Sequence, residues 1–216
     1  RTAPHPTDTY VSATAAVFPV IPEVAANLFL SESYLAALAP LTSRDAKSRK
    51  VEPHFLELLN AACMNKACRE AISKHLSTWL SHLLTNGCDE SSEMAAVILA
   101  KVRTAAQVGP SDSNGKVEED NSRVTELVDR FKDLMSKRKT ENLSNVIEGL
   151  AYASVKATVK EQLANDVAFL QDLIKILREN CADSSVLYGG LMIIVNLTQF
   201  PPTLTEEQKK MSQLKS

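Results

Sequence analysis

The chain has 216 residues, of which 44% are hydrophobic and only 5% aromatic, with a formal net charge of −2. That length supports one large core, the Ala- and Leu-rich apolar set favours close-packed helices over a sheet-rich fold, and the balanced charge argues against a dedicated nucleic-acid binder. No run approaches the roughly 18 apolar residues that span a bilayer, and the spacing of Cys63, Cys68, Cys88 and Cys181 is not that of a disulfide framework, which implies a reducing, cytoplasmic setting.

Residues 1–20, with Pro4, Pro6 and Asp8, read as an extended lead-in to a single domain over 21–216. Short helices are predicted over Pro22 to Leu30 and Ser33 to Leu41, followed by a polar stretch from Ser43 to Lys50. The next helix is predicted from Glu52 to Cys63, with Pro53 in its first turn and Phe55, Leu56, Leu59, Ala62 and Cys63 at helical spacing. A short helix over Lys66 to Ile72 and a longer one over His75 to Leu84 follow, stopped by Gly87; Ser91-Ser92-Glu93 opens another that reaches Val102. Residues 107–122, containing Gly109-Pro110 and Glu118-Glu119-Asp120, read as a mobile insertion. Helical rhythm resumes at Val124 and passes through Phe131 to Met135. Helices are then predicted over Glu141 to Ala153, Lys156 to Leu163, Val167 to Arg178 and Ser184 to Thr198. Pro201-Pro202 ends that run, and Thr203 or Thr205 begins a last helix. The start at Arg1 without Met, and the end at Ser216 within a helical pattern, imply a piece of a longer protein.

Two stretches share one pattern at a shift of 91: Leu59 falls on Leu150, Ala62 on Ala153, Arg69-Glu70 on Lys160-Glu161 and Ile72 on Leu163. Such a shift is about two units of an armadillo or HEAT period. The expected fold is therefore all-α: a right-handed α-solenoid of about four armadillo-like three-helix repeats. The third helix of each unit, carrying Leu59, Ile98, Leu150 and Ile193, should line the inner groove.

Ile147-Glu148-Gly149-Leu150-Ala151-Tyr152 is followed by Val159-Lys160-Glu161, Leu187-Tyr188-Gly189, Ile194-Val195-Asn196-Leu197-Thr198 and Leu204-Thr205-Glu206-Glu207-Gln208-Lys209-Lys210. In this order these elements resemble the central armadillo domain of the UCS family of myosin chaperones. The resemblance is strong from Asn142 to Lys215, weaker from Phe55 to Val102, and carries no recognised element in the first forty residues. The divergent N-terminal half and the acidic insertion look more like a fungal member than an animal one. The resemblance implies a non-catalytic part of a (co-)chaperone that supports myosin motor folding and actomyosin assembly beside the actin cytoskeleton. It implies myosin heavy chain as partner, mainly through a C-terminal UCS domain beyond Ser216, with a heat-shock chaperone and self-association as further contacts. The central domain would then space or oligomerise the myosin-binding domain. A general armadillo adaptor for transport or signalling is the alternative.

No catalytic constellation stands out, and no cofactor motif is present: the chain lacks a Gly-x-Ser-x-Gly elbow, a phosphate loop and an HExxH helix. His75, His82 and Cys88 have spacings that match neither a zinc finger nor a catalytic pair, so they read as partly exposed polar positions. Lys132 to Lys139 reads as a solvated helix end. Gly149 and Gly189-Gly190 fall within helices, where they allow close helix contact. The candidate groove-facing residues are Glu57, Asn60, Lys101, Glu148 and Asn196. Asn60 and Asn196 occupy armadillo positions for a backbone-binding asparagine. The tryptophans that accompany such asparagines in nuclear-import adaptors are replaced by Leu56 and Met192. Glu57 and Glu148 coincide at the shift of 91 and could form an acidic stripe for a basic client segment.

Overall fold

A computed structural model describes residues 6–43, 46–105, 114–137 and 143–199. Among these residues every regular element is helical: α1 (Pro6–Val17), α2 (Pro22–Phe29), α3 (Glu32–Leu38) with a 3₁₀ turn (Ala39–Thr42), α4 (Ala46–Ala62), α5 (Lys66–Asn86), α6 (Asp89–Ala105), α7 (Asn114–Lys137), α8 (Leu143–Ala153), α9 (Ala157–Ala164), α10 (Val167–Glu179) and α11 (Ser184–Thr198). The all-α expectation is borne out.

The internal repeat is visible in the element boundaries. Ala62 ends α4 and Ala153 ends α8; Lys66 opens α5 and Ala157 opens α9; each pair is separated by 91 residues. Helices α4, α6, α8 and α11 form a ladder, each packed on the next. Leu59, Ile98, Leu150 and Ile193 are fully buried, one in each rung. The outer layer is α5 on α6, α7 on α8, and α9 with α10 on α11. Burial of the apolar stripe of each helix supplies the driving force, because no single unit can cover its own face.

Three expectations are corrected. The lead-in is helical: α1 opens at Pro6 and packs on α4, with Val11 and Thr14 buried along it and Phe18 buried just past its end. Packing outweighs a Thr- and Val-containing sequence of modest helix propensity there, and Phe18 meets Phe29 edge-on at 6.2 Å between ring centroids. The helices predicted over Lys66 to Ile72 and His75 to Leu84 are one continuous α5. At the shift of 91, Asn165 and Asp166 separate α9 from α10, with Asp166 accepting from the Phe169 backbone N–H at 3.0 Å. The first copy has Lys74 and His75 there and no cap, so nothing interrupts the helix. The three-helix unit is thus complete in α9–α10–α11, while α5 runs through as one helix. Lastly, α4 starts before Glu52 and places Pro53 inside the helix.

The structure also shortens the predicted insertion: α7 begins at Asn114, so only 107–113 of it, with the helix predicted after Pro201-Pro202 and residues 138–139 of the basic run, lie outside the described residues. No single described helix is long and apolar enough to cross a membrane.

Candidate functional site

Helix α6 carries the apolar run Ala95 to Val102, broken by one lysine. Lys101 is buried, its side chain 5% exposed. A buried ammonium needs partners, and the ladder provides them from both sides. Lys101 Nζ donates to Asn60 Oδ1 on α4 at 2.6 Å and pairs with Glu148 Oε1 on α8 at 2.7 Å. It also lies 5.2 Å from the centroid of the Tyr152 ring, one turn further along α8. One side chain therefore ties three successive rungs together.

The ends of the rungs are closed by side chains as well. Arg69, in the first turn of α5, donates from Nη1 to the carbonyls of Cys63 (2.6 Å) and Met64 (3.3 Å), just past the end of α4. Asn65 caps α5 by accepting from the N–H groups of Ala67 and Cys68. On the next rungs Asn196 of α11 donates from Nδ2 to the Ala151 carbonyl (3.1 Å) and to Ser154 Oγ (3.0 Å) at the end of α8. Carbonyls left open at the helix ends are thus satisfied by the neighbouring element.

Electrostatics follow from burial. Burial pushes the Cys63 thiol up to about 12, against the opposing pull of Lys101 and Arg69. Burial likewise raises Cys68 to about 11. Both thiols stay protonated and act as small apolar groups. The Tyr152 hydroxyl is raised first by burial and then by the charge of Glu148.

Beside this network, α8 and α11 enclose an open groove of about 550 Å³. Glu148 and Tyr152 line it from α8, Val155 from the turn just past α8, and Ser185, Tyr188 and Met192 from α11. Gly189 keeps the two helices close: a Cβ there would stand 2.7 Å from Ile147 Cγ2. Gly149 does the same for α8 against α7, where a Cβ would stand 2.5 Å from the Phe131 ring.

Of the residues singled out from sequence, Asn60, Lys101 and Glu148 come together directly, and Asn196 joins the end of the same α8 rung. Glu57 does not join them: it is exposed, with Oε2 3.5 Å from His54 Nδ1. Since Glu57 sits apart beside His54 and Glu148 is paired with Lys101 through Oε1, the two glutamates do not form one continuous acidic stripe along the ladder. Tyr152 and Tyr188, treated in the sequence only as family markers, line the groove. His75, His82 and Cys88 line a groove of about 810 Å³, but among the described residues no three His, Cys, Asp or Glu side chains converge as a metal site.

Comparison with known proteins places this geometry in context. The family described as "Myosin-binding striated muscle assembly central" (UNC45-central) matches residues 7–131. That match falls in the half where the sequence resemblance is weaker, and it includes most of the first forty residues, where the resemblance carries no recognised element. "Ring assembly protein 3" of Schizosaccharomyces pombe is 22% identical over 188 residues, 87% of this chain and 21% of that protein. "SWI5-dependent HO expression protein 4" of Saccharomyces cerevisiae is 21% identical over 227 residues, 98% of this chain and 27% of that protein. The crystal structure of She4p superposes with a TM-score of 0.71 at 19% identity, covering 99% of this chain and 27% of that one, and shows the same armadillo-like solenoid fold. The chain thus spans about a quarter of the length of each relative.

Proposed function

The chain belongs to the UNC45-central family, the central armadillo domain of UCS-type myosin chaperones, and from that premise we propose that it is the scaffold of a myosin-directed chaperone. It works without catalysis or cofactor, in the cytoplasm beside the actin cytoskeleton. Its task is rigid presentation: the solenoid fixes the position of a neighbouring myosin-binding domain while the motor folds and actomyosin assembles. The observation that carries this reading is the ladder α4–α6–α8–α11, whose rungs are cross-linked by Lys101 and Asn196 rather than held by apolar contact alone. A buried lysine partnered from two neighbouring rungs favours one arrangement of its elements, which is what a spacer requires. The proposed partner is myosin heavy chain.

Sedimentation velocity of the protein, alone and with a purified myosin motor domain, tests the reading. Co-sedimentation of the longer protein containing this domain with the motor, lost when the domain is replaced by a flexible linker, is the expected result. Full retention of motor binding and folding after that replacement would remove the scaffold role. The same runs report self-association.

A further inference from the structure

The groove between α8 and α11 has a composition that points to a ligand class. Its lining holds two tyrosine rings, a methionine and one carboxylate, and no basic side chain. Tyr188 is 70% exposed and Val155 58% exposed, an unusual outlay of large apolar groups on facing sides of one cleft. Lys101 takes Glu148 Oε1 from beneath, while the Glu148 side chain remains 40% exposed. Glu148 is also one of the residues that line the groove. Aromatic faces beside an accessible carboxylate recognise cations, because ring quadrupole and formal charge attract the same group. Ser185 and Asn145 on the rim offer hydrogen bonds to a backbone.

We propose that this groove binds an extended client segment by an arginine or lysine side chain, seated between Tyr152 and Tyr188 with its charge on Glu148. The proposal rests on the reading of the chain as a client-handling scaffold and names the chemistry its groove accepts. Lys101 sets the selectivity: it holds the carboxylate in place from below and repels any cation that would penetrate deeper.

Fluorescence anisotropy on the whole chain tests it, with a labelled octapeptide carrying one central arginine among small and apolar residues, and the same peptide with citrulline in its place. The arginine peptide should bind about tenfold more tightly, the scale of one cation–π contact with a partly desolvated charge. Tyr188→Ala should weaken it about fivefold, and Ser185→Arg, which puts a cation on the exposed rim, should abolish binding without unfolding the chain. Equal binding of the two peptides, no binding of either, or insensitivity to Ser185→Arg would overturn the proposal. Glu148→Gln is a further arm, read only with a circular-dichroism check of folding. The two readings separate cleanly. Motor-domain capture unaffected by Ser185→Arg sinks the groove and leaves the scaffold. Arginine-peptide binding by a chain that retains no motor domain supports the groove and counts against myosin as client.

Discussion

Glu148→Ala strands the Lys101 ammonium in the ladder with one amide oxygen and a ring face for company. Breaking a buried pair from one side costs roughly 3–5 kcal/mol, and the partial exposure of Glu148 reduces that here to about 2–3 kcal/mol. Lys101→Met removes the charge instead of stranding it, fills similar volume, and should cost only about 1 kcal/mol, since Glu148 can turn to water. Urea denaturation of both single variants and of the double variant checks this. Additive losses would show that the three rungs are not coupled through Lys101. The residues of this cluster were legible in the sequence one by one, Lys101 most of all as a lone charge inside an apolar run. Their meeting was not, because Asn60 and Lys101 are 41 residues apart and join only through the register of the ladder. Tyr188 carried no signal of its own: an exposed tyrosine on a helix reads as surface until α8 is placed beside it.

At the scale of the elements, tolerance between helices is set by glycine. Gly149→Ala gains about 1 kcal/mol of helix propensity but drives a methyl group into the fully buried Phe131 ring. Overpacking of that kind costs about 1–3 kcal/mol, so a net loss near 1 kcal/mol is expected. Phe131→Leu should be less damaging in the Gly149→Ala background than alone, a non-additivity that thermal melts of the four proteins would reveal. A simple sum would place the clash elsewhere. Helix ends were readable where chemistry marks them. Asp166 and Asp183 cap α10 and α11, and the sequence placed both starts at the observed residues. Helix α1 has no such contrast: Val11 and Phe18 gain their meaning only from α4. The fused α5 shows the converse, since nothing between Ile72 and His75 was able to stop a helix, and a repeat expectation inserted a break that the residues do not encode.

For the whole molecule, acid is the informative perturbation. Asp166 joins α10 to α7 through its ion pair with Lys132 and caps α10. The Lys132 ammonium, then the Phe169 N–H, hold its carboxyl below the ordinary 3.8. A carboxyl depressed in the folded state stabilises fully above its unfolded value, and that contribution disappears as pH falls through the folded one. The urea midpoint should therefore drop on acidification below about pH 4, and Asp166→Asn, which keeps a capping oxygen, should flatten that drop. An unchanged acid profile in the variant would assign the loss to other carboxylates. Adjacent glycines give the last rung a different significance. Gly189 sets α11 against Ile147 of α8, and Gly190 sets it against Leu177 of α10, with a Cβ at the latter standing 2.4 Å from a methyl carbon. The helix is held on two sides with no play, like a shaft in a fitted bearing. Anything stacked onto α11 inherits its bearing angle, and over the length of a lever arm a one-carbon error at that joint becomes a misaimed domain.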